Sequence, residues 1–231
     1  MKTVLITGGS RGIGSATMQK LVDTHKILVV SRTPPSFQHP HLTFFPCDLA
    51  SRKDTERLVK QLEPKQIDAA IYSAGIGIFQ CLESIHTDDV YRAFHINFFS
   101  AALITKRLLP VWKTRKQGHF LYLGSVAGTK YTKQNTLYGS SKAALQAFTR
   151  SLREECRTAN VQISFVELGM CRTSFYDPLE FCPKKEPLYA LDPKDVADFL
   201  YSSFFTFPLL GVEEITLQPQ KHGIEKKRPF S

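Results

Sequence analysis

The chain has 231 residues, 42% of them hydrophobic and 22% charged, which fills one core and is too little for two full domains. That balance excludes global disorder. No apolar run reaches the length of a bilayer helix, and the apolar start Val4-Leu5-Ile6 is too short for a signal peptide. The net charge of +9 attracts anions without naming one, and no aromatic-interleaved basic face or nucleic-acid motif accompanies it. Its two concentrations read as solvated surface: Lys106, Arg107, Lys113, Arg115 and Lys116 on a helix, and Lys221, Lys226, Lys227 and Arg228 in the tail.

Short β-branched runs alternate with longer helical patterns, as in a parallel sheet wrapped by helices. Thr3–Ile6 reads as a buried strand, Ile13–Val22 as a helix, Lys26–Val30 as a second strand and Leu42–Phe45 as a third. Ser51, with Asp54 three residues on, caps the next helix, and Ala69–Tyr72 is a fourth strand. One or two long helices span Asp88 to about Lys116, with Pro110 tolerated as a kink or near an end. His119–Leu123 is a fifth strand, Leu137–Arg157 a helix and Val161–Val166 a sixth strand. Asp192 and Pro193 open a further helix, and Glu214–Leu217 is a last strand. The expected fold is α/β, one doubly wound domain over 1–231 whose seven-stranded, mostly parallel sheet carries helices on both faces.

Residues 171–190 break the pattern, being aromatic, proline-rich and aperiodic. They leave the carboxyl end of the sixth strand, where open α/β sheets bind ligands, so they are expected to be a substrate lid rather than a surface excursion. Phe175, Tyr176, Leu179 and Phe181 would offer it apolar surface, with Lys184 and Lys185 at the margin. Five cysteines without C-x-x-C spacing suggest no disulfide framework and no zinc ribbon, and a reducing cytosol is expected. The seven histidines lack ligand spacing, so no metal site is expected.

The run Thr7-Gly8-Gly9-Ser10-Arg11-Gly12-Ile13-Gly14 stands between the first strand and the first helix. Glycines there let the backbone approach a pyrophosphate, and the helix amino terminus offers free N–H groups and a positive dipole end. Gly8, Ser10, Arg11, Gly12, Ile13 and Gly14 are therefore expected to cradle a dinucleotide. The G-x-x-x-G-x-G spacing differs from the standard G-x-G-x-x-G and resembles the classical short-chain dehydrogenase/reductases, whose first-strand motif is T-G-x-x-x-G-x-G. An acidic residue ending the second strand would bond the ribose 2′-hydroxyl of NAD, but this chain has Ser31-Arg32-Thr33. Arg32, with Arg11 in reach, can pair with a 2′-phosphate, so NADP(H) is expected in preference to NAD(H); the alternative is two ordinary surface arginines. The resemblance implies that Asp48, followed by Leu49, contacts the adenine ring, although Asp48 alone could equally be a turn residue.

Tyr138 and Lys142 lie one helical turn apart. A phenol with pKa near ~10 is a poor base, and a neighbouring ammonium is expected to lower that pKa, so that the tyrosine exchanges a proton with a carbonyl or alcohol oxygen. The Tyr-x-x-x-Lys spacing is cheap by itself. Its weight comes from order: the pair opens a helix after the fifth strand, and Ser125, which can bond the substrate oxygen, stands thirteen residues earlier. In isolation Ser125 would read as a cap or turn serine. The resemblance adds Asn97 as the helix asparagine that holds a relay water, and implies that Lys142 also bonds the nicotinamide ribose.

The family's N-N-A-G after the fourth strand is Tyr72-Ser73-Ala74-Gly75 here, keeping Ala74 and Gly75 for close approach to the cofactor. Its Pro-Gly after the sixth strand is Leu168-Gly169, with Thr173 in the place that usually contacts the carboxamide. The tail is short for the family. Trp112 reads as packing, Phe94, Phe98 and Phe99 as one core or interface stripe, and the family implies that this helix joins a neighbouring subunit in a homodimer or homotetramer. The resemblance thus implies a cytoplasmic NADP(H)-dependent oxidoreductase interconverting a small-molecule carbonyl and alcohol, with no nucleic-acid or membrane partner. A 3-oxoacyl-carrier-protein reductase and a non-catalytic NADP-binding regulator are the alternatives.

Overall fold

The computed structural model describes residues 1–206 and 211–227; Arg228, counted above with the basic tail, lies outside them. In chain order the elements are β1 (Thr3–Thr7), α1 (Gly12–Leu21), β2 (Lys26–Ser31), β3 (Leu42–Pro46), α2 (Arg52–Gln61), β4 (Ala69–Tyr72), α3 (Thr87–Phe94) and α4 (Ser100–Arg115). There follow β5 (Gly118–Leu123), α5 (Thr136–Cys156), β6 (Val161–Leu168), β7 (Phe181–Pro183), α6 (Pro193–Phe205), β8 (Glu214–Leu217) and β9 (Ile224–Lys226).

Seven strands form one sheet in the order β3-β2-β1-β4-β5-β6-β8, parallel at every pairing. Such strands are covered on both faces and so read as unbroken apolar runs. The period of two then sorts neighbours to opposite sides. Leu5, Val30, Tyr72 and Phe120 join one core with Leu58 of α2, Leu108 and Trp112 of α4 and Leu145 of α5. Val4, Ile6, Val29 and Leu121 join the other with Met18 of α1 and Leu200 of α6. This is the doubly wound α/β fold. The chain runs from β1 outward through β2 to β3 and then returns to β4 on the far side of β1, leaving a crevice at the carboxyl ends of these strands.

The predicted caps form: Ser51 Oγ accepts from Asp54 N–H at 3.1 Å, and Asp192 accepts from Lys194 N–H at 2.8 Å ahead of Pro193. The region between Asp88 and Lys116 is two helices joined by a π-helical turn, His95–Phe99. Pro110 sits inside α4, which runs on to Arg115 and ends where Lys116 turns left-handed (φ 53°). Trp112 is fully buried, stacks 4.2 Å from Phe120 and donates its indole N–H to Ile67 O at 2.9 Å. Phe98 packs edge-on against Phe148, whereas Phe99 is exposed.

Two expectations need revision. The aperiodic segment contains a strand, β7, and the basic tail is not simply solvated, because its β9 pairs antiparallel with β7. A three-residue strand bonded only to another three-residue strand far along the chain has no local signature. Among the described residues no helix is long and apolar enough to cross a membrane.

Candidate active site

A cleft of about 810 Å³ opens at the carboxyl end of the sheet, and the glycine loop, the ends of β2 through β6, the start of α5 and the segment after β6 line it. At its floor Gly8 holds φ +75°, and a Cβ there would meet the backbone of Ala74 at 2.8 Å. A Cβ on Gly14 would lie 2.4 Å from Gly8 O, so Gly14 is buried under the turn and supports it, while Gly8, Ser10, Arg11, Gly12 and Ile13 face the cleft. α1 starts there with no side-chain cap and no acidic residue in its first turn. Its unpaired N–H groups and positive dipole end suit a pyrophosphate.

Beyond this floor Arg32 and Arg11 both line the cleft and are exposed. Neither forms an ion pair among the described residues. Ser31 is buried, with its hydroxyl spent on Thr33 O at 2.7 Å, so β2 ends without a carboxylate. Asp48 and Leu49 line the same region, and Asp48 accepts from Ala50 N–H at 3.1 Å, fixing its turn. Ala74, Gly75, Gly169 and Thr173 continue the wall. Thr173 Oγ accepts from Phe175 N–H at 3.3 Å and so caps the short turn Ser174–Tyr176.

Ser125, Tyr138 and Lys142 line the opposite end, and Asn97 lies behind them. The π turn swings Asn97 inward, and its side chain closes a two-way clamp on one residue: Oδ1 accepts from Ile76 N–H at 2.9 Å, and Nδ2 donates to Ile76 O at 3.0 Å. Nδ2 also donates to Ser141 Oγ at 2.9 Å, and Ser141 donates to Tyr138 O at 2.7 Å, so Asn97 is tied to the helix that carries the tyrosine. Lys142 donates to Leu123 O at 3.1 Å. A Cβ on Gly75 would stand 3.4 Å from both Lys142 Nζ and Asn97 Oδ1, which places the two polar heads around one bare backbone position.

Burial governs the protonation of this group. It pushes the Tyr138 phenol up to about 12, opposed by a hydrogen bond with Ser125. It pulls the Lys142 ammonium down to about 8. The expectation from sequence is a phenol lowered by its lysine; burial raises it instead, and the opposing partner is Ser125 rather than Lys142, so at neutral pH Tyr138 is a proton donor and Lys142 a cation. Burial likewise raises the thiols of Cys47, to about 11, and Cys171, to about 12, so neither is a thiolate nucleophile.

Aromatic rings surround the phenol. Phe79 lies 5.0 Å and Phe175 5.6 Å from the Tyr138 ring, and Phe181 meets both Phe79 and Tyr176. Of the side chains expected in the lid, Phe175, Tyr176 and Phe181 line the cleft, whereas Leu179, Lys184 and Lys185 do not. Phe79, Ile76 and the tail residues Gln218, His222 and Ile224 also line it. None of these five carries a motif, and only the fold brings them to the site.

A family model described as short chain dehydrogenase matches residues 2–180. The chain is 30% identical over 221 residues to an uncharacterized oxidoreductase, YbbO, of Escherichia coli K12, covering 89% of this chain and 82% of that protein. Among solved structures, the closed form of serine dehydrogenase complexed with NADP+ superposes with a TM-score of 0.82 at 20% identity, over 94% of each chain. A 4-hydroxyisoleucine dehydrogenase complexed with NADH does so with a TM-score of 0.82 at 17% identity, over 95% of this chain and 98% of that one.

Proposed function

The chain belongs to the short-chain dehydrogenase family and is an oxidoreductase; from that premise we propose that it is an NADP(H)-dependent enzyme interconverting a small-molecule carbonyl and its alcohol, with Tyr138 as general acid/base. The observation that carries this reading is the convergence of half-buried Ser125 with buried Tyr138 and Lys142 at one end of a cleft whose other end is a glycine turn under an uncapped helix start. Gly8, Ser10, Gly12 and Ile13 would hold the pyrophosphate, Asp48 and Leu49 the adenine, and Ala74, Gly75, Gly169 and Thr173 the remainder. Arg11 and Arg32 would pair with a 2′-phosphate. The solved neighbours include both an NADP+ and an NADH complex, so the preference rests on these two arginines.

A bound nicotinamide supplies the hydride, and the chain does the rest. Ser125 and Tyr138 hold the carbonyl oxygen by hydrogen bonds, which polarises the carbon. Tyr138 hands its proton to that oxygen as negative charge develops there, and takes it back when an alcohol is oxidised. Lys142, still protonated at neutral pH, stabilises the phenolate left behind and fits the ribose hydroxyls. Asn97 fixes the Ile76 backbone beside it. Residues 171–190 act as a lid of a single domain, shielding the site from water. The five free thiols suit a reducing cytoplasm, and Phe99 and Tyr91, exposed on neighbouring helices, suit a homodimer or homotetramer.

The test is consumption of NADPH against NADH over a panel of ketones, aldehydes, diketones and acyl thioesters. NADPH should be the better reductant, and Arg32→Asp should lower its kcat/KM roughly ten- to hundredfold while sparing NADH. Equal use of both cofactors by the unaltered enzyme would overturn the cofactor assignment.

A further inference from the structure

Residues 221–227 run back along residues 171–190. Lys221 N–H donates to Leu188 O at 2.9 Å, Lys184 N–H to Gly223 O at 3.3 Å and Lys227 N–H to Glu180 O at 2.8 Å. Between these bonds β9 pairs with β7 in the register Phe181 with Lys226, Cys182 with Glu225 and Pro183 with Ile224. The Lys227 ammonium also bonds the carbonyls of Tyr176 and Asp177, at the end of the Ser174–Tyr176 turn. One lysine therefore fastens residues 176–177 while the strand beside it fastens 181–183.

Side chains on a two-stranded ribbon alternate between its faces. On one face Cys182 meets Glu225, Sγ to Oε1 at 3.5 Å. Phe181 and Ile224 belong to the other face, and both line the cleft. Phe181 is held against Phe79 (5.2 Å) and Tyr176 (5.9 Å), and Phe79 in turn lies against Tyr138. Ile224 is left 49% exposed. A large aliphatic side chain bare at the mouth of an aromatic-walled cleft is a contact surface for an apolar ligand.

We propose that the carboxyl-terminal strand is a specificity element of the active site: Ile224 and Phe181 form the roof over the carbonyl compound and select substrates with a flat apolar group, and Lys227 is the positioning residue that keeps the roof in place. The proposal rests on the reading of Tyr138 as the acid that meets that substrate. It assigns a task to a basic tail that composition alone reads as solvated surface.

Two measurements test it. The first is the ratio of kcat/KM for an aryl ketone to that for a four-carbon aliphatic ketone. Ile224→Ala should lower the ratio roughly five- to twentyfold through lost apolar contact, chiefly as a raised KM for the aryl ketone. Ile224→Trp, which fills the roof, should lower it at least tenfold. Equal changes for both ketones would overturn the specificity role. The second is amide hydrogen exchange of the full chain without cofactor, in which Lys227→Met should speed exchange across 174–183 roughly tenfold or more and leave 136–156 unaltered. Unchanged exchange across 174–183 would overturn the latch. If the unaltered enzyme turns over no carbonyl with either nicotinamide, the catalytic reading and the specificity role fail together, and the exchange result still decides whether the tail holds the lid.

Discussion

Lys142 works against the stability of the fold it serves, and the cost can be read from its burial. Desolvation moves the ammonium from 10.5 to about 8. At 1.36 kcal/mol per pH unit this corresponds to roughly 3 kcal/mol of penalty for keeping the charged form folded at neutral pH. Lys142→Met keeps the stem and removes the charge, and gives up the bond to Leu123 O, worth about 1–2 kcal/mol. The net expectation is a gain of about 1–2 kcal/mol, or a rise in Tm of roughly 2–8 °C for a chain of this size. The sign also fixes the pH window. Between about 8 and 10.5 the unfolded chain binds a proton that the native site has released, so the unaltered protein gains stability as pH rises through that range and the advantage of the variant shrinks. Thermal melts at pH 7 and pH 10 by calorimetry decide it. A variant that melts lower at pH 7, or whose advantage grows toward pH 10, would refute the assignment of Lys142 as a buried, penalised cation.

Because Tyr138 stays protonated to about 12, kcat/KM for carbonyl reduction should lose activity above pH 8 as Lys142 discharges; a limb at 10 or higher in the pH profile would place the loss on the phenol instead. Asn97→Ala unpairs Ile76 at both backbone atoms and removes the bond that Ser141 Oγ accepts, leaving Ser141 only its bond to Tyr138 O, so it should cost about 2–4 kcal/mol in urea unfolding and reduce turnover with it. Trp112→Phe should cost about 2 kcal/mol by losing the bond to Ile67 O and leaving a gap beside Phe120, with kcat unaltered in steady-state assays.

The inner strands of the main sheet, β1, β2, β4, β5 and β6, were legible because they are largely buried and so form their own apolar runs; the edge strands β3 and β8 are half-exposed and showed only as short β-branched or aromatic runs. The Ser51 and Asp192 caps were legible because capping depends on neighbours a few residues away. The pairing of Tyr138 with Lys142 was legible for the same reason: they stand one turn apart on α5, and both line the cleft. The π turn was not, since an i→i+5 bond leaves no period in the sequence; without the family resemblance Asn97 would show only as a mid-helix polar residue. β7 and β9 were missed because each depends on the other across the chain. The direction of the phenol shift was misjudged for a related reason: the lysine neighbour is a matter of spacing, whereas the desolvation that raises the phenol exists only once α5, Phe79 and Phe175 have assembled around the ring.

The central claim is that the Tyr138 hydroxyl delivers the proton. Tyr138→Phe removes one oxygen and keeps the ring between Phe79 and Phe175. In single-turnover oxidation of NADPH by an accepted carbonyl, the variant should be slower by about 10²–10⁴-fold, with NADPH affinity within about twofold of the unaltered enzyme. Turnover of every accepted carbonyl at the unaltered rate would contradict the account.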